Sequence, residues 1–224
     1  GHGGTVNVLV DGGDSAIDYF QLNADGWGGS AASGYEPGDR AGAVGDGLGG
    51  TVRFTGRSGT LNTPSFSLYA NGYGGSTSFF YTEASGVGGS GTGGNILFLM
   101  EADGSAAITL ENLFLYADGS GGAALHGGDG AGGRAEIDLA GGALTTQGAD
   151  LSADGDGASG LTGVAPGNGG IGRGGTALAT VRSAGQQLGV LDLRADGDGG
   201  HGGSAIDETG TMTTGLGGAG GDAF

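Results

Sequence analysis

The sequence contains no cysteine and no lysine, and only 3 of its 224 residues are proline. Without cysteine, disulfide bonds, thiolate metal sites and thiol catalysis are excluded. A collagen triple helix is excluded as well, because proline is so scarce and no strict Gly-X-Y period occurs. The longest apolar run, residues 96–100, is far shorter than the roughly 20 residues that a membrane-spanning helix needs. The sequence therefore predicts no membrane insertion.

Positive charge is scarce too. Seven arginines stand against 24 acidic residues, which gives a net charge of −17. Such a chain has no cationic patch that could displace counterions from phosphate groups, so binding to nucleic acid and to anionic membranes is excluded. Divalent cations and basic surfaces remain compatible partners.

Glycine is the abundant residue, with 61 copies. That much glycine without a period indicates a low-complexity chain, whereas with a period it indicates a repeat architecture. The sequence also starts and stops within repeat-like segments, which predicts that it is part of a longer protein. Periodicity decides between the two interpretations.

Two sequence anchors recur along the chain. A Gly-Gly pair opens an alternating run at Gly3-Gly4, and counting from Gly4 it returns at spacings of 46, 44, 39, 42 and 43 residues. The motif Leu-x-Ala-[Asp/Asn]-Gly begins at Leu22, Leu68, Leu115, Leu151 and Leu193. Together the anchors predict one array of about five repeats of roughly 43 residues. Their approximate bounds are 3–48, 49–92, 93–131, 132–173 and 174–216, with a partial repeat at 217–224.

Each repeat has a hydrophobic half and a glycine half. In the hydrophobic half, two alternating runs predict two strands with an inward apolar face, as in Val6/Val8/Val10 followed by Phe20/Leu22/Ala24. A glycine-rich or polar turn separates them, for example residues 11–14 and 56–59. No helical period occurs. The glycine half is compatible with flexible loops, an extra β-coil or extended polyglycine helices packed side by side.

The architecture follows from what one repeat lacks. A lone hairpin cannot bury its Leu and Phe side chains, but identical stacked units can. Stacking in register would place the leucines of the second anchor in one interior ladder. We therefore predict an all-β chain, a right-handed parallel β-helix or β-solenoid with glycine-rich loops. The alternative is a β-roll or a repeat sandwich with polyglycine segments.

One resemblance covers nearly the whole chain. The segments Gly-Gly-Thr-Val-Arg-Phe (49–54), Leu-Tyr-Ala-Asn-Gly (68–72) and Gly-Tyr-Gly-Gly (72–75) look like the glycine-rich repeats of large bacterial exoproteins. These are the filamentous-haemagglutinin-like adhesins and autotransporter passengers. The resemblance is one of style and period, and the secretion domain and translocator barrel of that family are absent. It implies a β-helical rod, export to the bacterial cell surface, and a role in adhesion or biofilm.

The best candidate site is the Asx-Gly corner at the end of the second anchor. Stacked carboxylates repel unless they are solvated, hydrogen-bonded or bridged by a cation. Calcium, which takes six to eight oxygen ligands, is the candidate ion, and the corner loosely resembles the β-roll of repeats-in-toxin proteins. That family's nonapeptide is not repeated in tandem here, and Asp-Gly and Asn-Gly are also ordinary turn formers. The candidate calcium ligands are Asp25, Asn71, Asp118, Asp154 and Asp196.

Other chemistry-bearing residues give weaker signals. His2, His126 and His201 occupy different phases of the repeat, so we expect solvated loop residues. Tyr69 and Tyr116 lie at outward positions and predict either a surface for glycans or subunits, or a cover for the coil itself. An ice-binding face would need aligned threonines, and Thr60, Thr63, Thr109, Thr145 and Thr146 do not share one repeat position.

No catalytic constellation appears in the sequence. The acidic residues recur in every repeat, whereas a polysaccharide-active enzyme needs one defined pair. We therefore expect no enzyme, no catalytic residues and no organic cofactor. The predicted function is an extracellular filament or rod that associates with itself end to end or laterally. The alternative is the stalk of an adhesin that binds host or surface glycans.

Overall fold

A computed structural model of the chain describes residues 1–32, 43–78, 86–162, 166–206 and 212–220. Within these ranges the protein consists of strands, turns and irregular segments without any helix, so the all-β prediction is confirmed. No helix in the described part has the length and apolar character needed to cross a lipid bilayer. The aromatic residues Tyr35, Phe79, Phe80 and Tyr81 lie outside the described residues.

The described strands follow one another in a repeating order. They are β1 (Thr5–Ala16), β2 (Tyr19–Asn23), β3 (Gly26–Trp27), β4 (Ala31–Ala32), β5 (Gly47–Leu48), β6 (Thr51–Tyr69), β7 (Gly72–Tyr73), β8 (Thr77–Ser78), β9 (Gly91–Thr92), β10 (Asn95–Met100), β11 (Ala107–Tyr116), β12 (Gly119–Ser120), β13 (Gly130–Ala131), β14 (Arg134–Leu139), β15 (Ala143–Ser152), β16 (Gly155–Asp156), β17 (Gly172–Arg173), β18 (Thr176–Val181), β19 (Gln187–Arg194), β20 (Gly197–Asp198), β21 (Ser204–Ile206) and β22 (Met212–Thr214).

The long strands form one 9-stranded sheet in which every pairing is parallel. Each repeat contributes one rung, either as β6 alone or as a pair such as β10 and β11. The register joins the same position of successive repeats, as in Thr5, Thr51, Asn95, Arg134 and Thr176. Each repeat of about 43 residues therefore makes one rung, not two.

Two of the predicted turns are bends inside continuous strands. Strand β1 runs through residues 11–14 and β6 runs through residues 56–59. The pairing of these strands shifts register between Val10 and Asp11 and again before Asp14. Gly12, Gly13 and Gly59 have positive φ angles of 96°, 77° and 87°, which side-chain-bearing residues rarely adopt. The chain therefore reverses through a bulge while most of its ladder pairing is kept.

Each rung folds into two layers that face each other across the hydrophobic core. The first layer holds the starts of β1 and β6 with β10, β14 and β18. The second holds β2, the end of β6, β11, β15 and β19, and the chain continues from it into β3, β7, β12, β16 and β20. Phe54 of the first layer meets Phe66 of the second edge to face, with ring centroids 4.8 Å apart. Between rungs, Phe54 stacks on Phe98 at 4.9 Å and Phe20 stacks on Phe66 at 4.5 Å. All but Phe20, which is partly buried, are fully buried, and burying a side chain of this size contributes about 1.5–3 kcal/mol.

The predicted leucine ladder is present. The register joins Leu22, Leu68, Leu115, Leu151 and Leu193 in one column. Leu68, Leu115 and Leu151 are fully buried, whereas Leu193 is 44% exposed. The difference arises because Leu193 belongs to the last rung of the sheet, where no described strand covers its other side.

In the glycine half the two layers touch backbone to backbone. The short strands form a 5-stranded sheet, β20-β16-β12-β7-β3, and a 4-stranded sheet, β17-β13-β9-β5. A methyl group built on Gly119 of the 5-stranded sheet would lie 2.0 Å from the carbonyl oxygen of Ala131 in the 4-stranded sheet. One on Gly130 would lie 2.1 Å from the carbonyl oxygen of Asp156. The spacing leaves no room for a side chain between the layers.

Backbone hydrogen bonds cross between these two layers along the whole stack. Each member of the series after the first donates its peptide N–H to the carbonyl of the member before it, which lies in the opposite layer. The distances lie between 2.6 and 3.0 Å. The series runs Gly29, Gly45, Gly75, Gly89, Gly122, Gly128, Ala158, Gly170, Gly200 and Gly218. The described glycine segments are therefore hydrogen-bonded structure rather than free loops.

The two sequence anchors meet at the junction between the halves. A methyl group on Gly49, the first glycine of its pair, would lie 2.0 Å from the carbonyl oxygen of Ala70. The second glycine, Gly50, donates its N–H to the carbonyl of Ala24 at 2.7 Å. The Gly-Gly pair and the Ala-Asx-Gly motif are thus the two sides of one contact, which explains why they recur together.

The close approach of the layers predicts a sharp difference between glycines. Gly119→Ala forces a methyl group onto a backbone carbonyl, so we expect it to lower the free energy of unfolding by about 3 kcal/mol or more. The matched control is Gly29→Ala, where no heavy atom lies within 4 Å of the new methyl, and a change below about 1 kcal/mol is expected. Urea denaturation followed by circular dichroism measures both. Equal destabilisation by the two variants would contradict the packing described.

Candidate functional site

The predicted corner residues form one continuous hydrogen-bonded column, here called the Asx column. Each side chain accepts the backbone N–H of the corresponding residue in the next repeat. The oxygen of Asp25 accepts from Asn71 at 2.6 Å, and that of Asn71 accepts from Asp118 at 2.8 Å. Asp118 accepts from Asp154 at 2.8 Å, and Asp154 from Asp196 at 2.7 Å. The column therefore ties every described rung to its neighbour.

The start of the Asx column shows the same chemistry within one rung. The backbone N–H of Asp25 donates to the side-chain oxygen of Asn23 at 2.8 Å, and the side-chain amide of Asn23 donates to the carboxylate of Asp25 at 2.7 Å. Short side chains that accept backbone N–H groups are the reason why Asp and Asn suit turns. The sequence showed the corner but not the partner, because the N–H that donates to each Asx oxygen lies one repeat away, at 36 to 47 residues.

The same device recurs at other positions of the glycine half. A short side chain accepts the N–H of its equivalent one repeat later, as in Ser30 to Ser76 at 3.2 Å and Asp46 to Ser90 at 2.8 Å. His126 takes part, since its Nδ1 accepts the N–H of Asn168 at 3.0 Å. Further examples pair Ser76 with Ala123, Asp129 with Ile171 and Ser159 with His201. His126, predicted as a solvated loop residue, is thus a structural acceptor.

Burial sets the electrostatics of the Asx column. It raises the pKa of the Asp118 carboxyl above the ordinary value of 3.8, although the Ser152 hydroxyl donates to it at 2.5 Å. Burial also raises the pKa of Asp156, and the neighbouring carboxylates Asp154 and Asp198 add to this rise. Carboxylates crowd this edge in the later repeats, so their ionised forms repel one another there.

No group of three or more His, Asp or Glu side chains within the described ranges is arranged so that it could hold a metal ion. One oxygen of each of Asp25, Asn71, Asp118 and Asp154 is already engaged by a backbone N–H. Calcium requires six to eight oxygen ligands, so any ion here would depend on the second carboxylate oxygens of the aspartates and on water. Calcium at the corner stays a prediction, and its test is given below.

The outward aromatic residues come together on the same side as the Asx column. Trp27 and Tyr73 stack with ring centroids 4.2 Å apart, and Tyr69 lies 5.7 Å from Tyr116. Tyr116 donates its hydroxyl to Asp150 at 3.0 Å. Burial and the nearby Asp150 carboxylate raise the pKa of the Tyr116 phenol. Tyr69, Tyr73 and Tyr116 are half-buried, whereas Trp27 is 66% exposed.

Charged side chains pair across rungs as well. Arg57 bridges Asp11 at 3.1 Å and Glu101 at 2.8 Å, which spans three rungs at the turn edge. Arg194 holds Asp150 at 2.8 Å in the adjacent rung. Exposed pairs of this kind contribute little to stability individually. Their geometry shows that Arg57 and Arg194 serve contacts along the stack, whereas Arg134 pairs with Glu136 of its own strand at 2.7 Å.

The predicted threonine alternatives do not converge. The register pairs Thr109 with Asn62 and Thr145, whereas Thr63 pairs with Leu110 and Thr60 with Ala107. The five threonines therefore fall into three columns, which hold Thr109 with Thr145, Thr63 with Thr146, and Thr60. Thr63 and Thr146 are buried.

In comparisons with known proteins, no family model, no curated protein and no solved structure matches the chain.

The raised pKa of Asp118 predicts that its neutral isostere, asparagine, raises the melting temperature at neutral pH but not at acidic pH. Because folding raises this pKa, the ionised carboxylate lowers stability above the raised value, and that cost vanishes as the pH falls toward 3.8. Asp118→Asn keeps the accepting oxygen, as Asn71 does naturally, so the variant should melt above the wild type at about pH 7 and equal to it at about pH 3.5.

Asp118→Ala is the matched control for that variant. It removes the acceptor as well as the charge, so the free energy of unfolding should fall by about 1 kcal/mol at neutral pH. Thermal melts of the three proteins at both pH values test the column. If Asp118→Ala raised the melting temperature as much as Asp118→Asn does, the hydrogen bond would be unimportant.

Calcium at the Asx column predicts a chelator effect. If the ion bridges the second carboxylate oxygens, EDTA should lower the melting temperature and added calcium should restore it. The Asp154→Asn/Asp196→Asn double variant keeps the hydrogen bonds but removes two charges, so its melt should not respond to EDTA. An unchanged wild-type melt in EDTA would end the calcium hypothesis.

Proposed function

We propose that this chain is a segment of a right-handed β-solenoid that serves as an extracellular structural rod or filament at a bacterial surface, and not as an enzyme. The observation that supports this most is the uniform register: each repeat makes the same contacts with the next. The right hand is the one that parallel crossover connections adopt generally. A β-roll or repeat sandwich would keep the same register with a different path.

The contacts along the stack suit a load-bearing rod. Three kinds of hydrogen bond run along the same axis: the parallel sheet, the crossing series of the glycine half and the Asx column. Solenoid stability is approximately a sum of such nearest-neighbour contacts. Rungs stack about 4.8 Å apart, so five rungs span about 20 Å and further repeats would lengthen the rod in proportion.

Composition supports an extracellular place for the proposed rod. A chain without cysteine can be exported unfolded with no danger of mispaired disulfides. The resemblance to filamentous-haemagglutinin-like and autotransporter repeats points the same way. The high net charge of −17 keeps such a rod soluble and opposes non-specific contacts with anionic surfaces.

A second candidate is the stalk of an adhesin that contacts glycans along its length. The exposed Trp27 and the aromatic residues beside it favour this candidate. The two candidates differ in what happens at the ends of the stack: a filament joins copies end to end, whereas a stalk does not.

Electron microscopy of the purified chain over a range of concentrations, with and without calcium, tests the proposal. A filament predicts long fibres with a constant axial repeat, whereas a stalk predicts short particles of uniform length. Globular particles without an axial repeat would contradict both.

Two variants of the last rung sharpen the experiment. Leu193→Lys places a charge on the inward face, which end-to-end joining would bury without a partner. Val190→Lys places the same charge on the outward face, where Val190 is 73% exposed. If copies join through this rung, only Leu193→Lys should abolish fibres. Loss of fibres with both variants would indicate lateral association instead.

A further inference from the structure

The aromatic residues of the described chain fall into two groups. Four phenylalanines, Phe20, Phe54, Phe66 and Phe98, pack in the core. The other six point outward, and every one of them lies on the second layer, the side that carries the Asx column. They are Tyr19, Trp27, Tyr69, Tyr73, Phe114 and Tyr116. We call this surface the aromatic face.

The aromatic face is confined to the first three rungs, with two rings in each. In the fourth and fifth rungs the columns of Tyr69 and Tyr73 continue as Ser152 and Arg194, and as Asp156 and Asp198. The outward side of the first layer holds residues such as Asn7, Arg53, Leu97 and Glu136 at its paired positions. Packing demands on the coil are similar on both sides, so they do not explain this segregation.

The rings are held rigidly and remain accessible. Trp27 is 66% exposed and Tyr19 is 53% exposed. Phe114 and Tyr116 lie side by side with centroids 6.0 Å apart and planes inclined by 33°. All six project from paired β-strands, so little conformational entropy would be lost when a ligand contacts them.

Hydrogen-bonding groups lie between the rings. Tyr19 donates its hydroxyl to Gln21 at 2.8 Å, and Asn23 donates to Asp25 at 2.7 Å. Each of these groups has further donor or acceptor capacity, and Gln21 and Asn23 are exposed. A ligand of this face would therefore meet apolar ring surfaces and polar side chains in alternation.

Charge narrows the choice of ligand. The outward strand positions of the first three rungs of this face carry no arginine. The carboxylates beside the rings include Asp25, Asp118 and Asp150, and Asp150 accepts the Tyr116 hydroxyl and pairs with Arg194. A polyanion is therefore repelled, and so is a second copy of a chain with net charge −17. A cationic partner would prefer the aspartates of the fourth and fifth rungs. Once these partners are set aside, the face fits a neutral ligand that combines apolar surfaces with many hydroxyl groups.

We propose that the aromatic face binds a neutral glycan chain. The C–H faces of a sugar ring fit the electron-rich faces of aromatic rings, and its hydroxyl rim matches the amides and carboxylates between them. The proposal deepens the adhesin candidate given above but does not depend on filament formation, so microscopy and glycan binding fail independently.

The single tryptophan makes the test direct, because Trp27 is the only Trp in the sequence and lies on the aromatic face. Its fluorescence would be titrated with neutral cello-, chito- and manno-oligosaccharides, and with alginate oligosaccharides as the anionic contrast. We expect a saturable change in emission with at least one neutral oligosaccharide and none with alginate.

Calorimetric titration of variants locates the site. Tyr73→Ala and Trp27→Ala should each weaken binding about tenfold. Leu9→Ala removes a 51% exposed apolar side chain on the opposite layer and should bind as the wild type does. Circular dichroism melts confirm that each variant is folded.

Three results would overturn the proposal. They are no binding by any neutral oligosaccharide, binding that Tyr73→Ala and Trp27→Ala leave unchanged, and binding of alginate as strong as that of the neutral chains. Sedimentation velocity adds a further check: if the aromatic variants abolish self-association of the wild type, the face is covered by a second copy rather than by a glycan.

Discussion

The distance between the two layers of the glycine half is the constraint on which the rest of this structure depends. A methyl group on most of these glycines would lie about 2 Å from a carbonyl oxygen of the opposite layer, so only glycine allows the contact. The contact in turn lets backbone N–H groups reach carbonyls across the layers. A buried backbone without such partners would be costly, so glycine content and hydrogen bonding are two aspects of one requirement.

The hydrophobic half solves the same problem of two facing layers by different means. There the layers are held apart by Phe54, Phe66, Leu68 and their equivalents, which are fully buried. The transition between the two spacings falls at the alanine before each Asx residue, such as Ala70, where the layers converge on the Gly-Gly pair. The apolar side chains drive association of the rungs, and the glycine half and the Asx column fix their register, because both depend on specific donors and acceptors.

Much of this arrangement could be predicted from the sequence because it is periodic. Alternation identified the inward residues, and the spacing of the anchors identified the leucine column that the register contains. The continuation of β1 and β6 through Gly12 and Gly59 was not predictable, since a glycine-rich polar sequence ordinarily forms a turn. The conformation of the glycine half was equally hidden, because glycine has no side chain whose pattern could report a face. The partner of each Asx side chain was hidden because it lies a whole repeat away.

The contrast between the periodic and the non-periodic parts bears most directly on function. Core ladders, crossing hydrogen bonds and the Asx column recur in each rung, as a scaffold requires. The outward residues do not recur: one column of the second layer holds the aromatic rings of Trp27 and Tyr73, and aspartates take their place further along it at Asp156 and Asp198. Stability cannot account for this change, because both sets of side chains stand on the same paired backbone. A surface that varies along an otherwise uniform stack of repeats is where selection for contact with a partner would act, and aromatic rings exposed to water are the part of it that gains most from being covered.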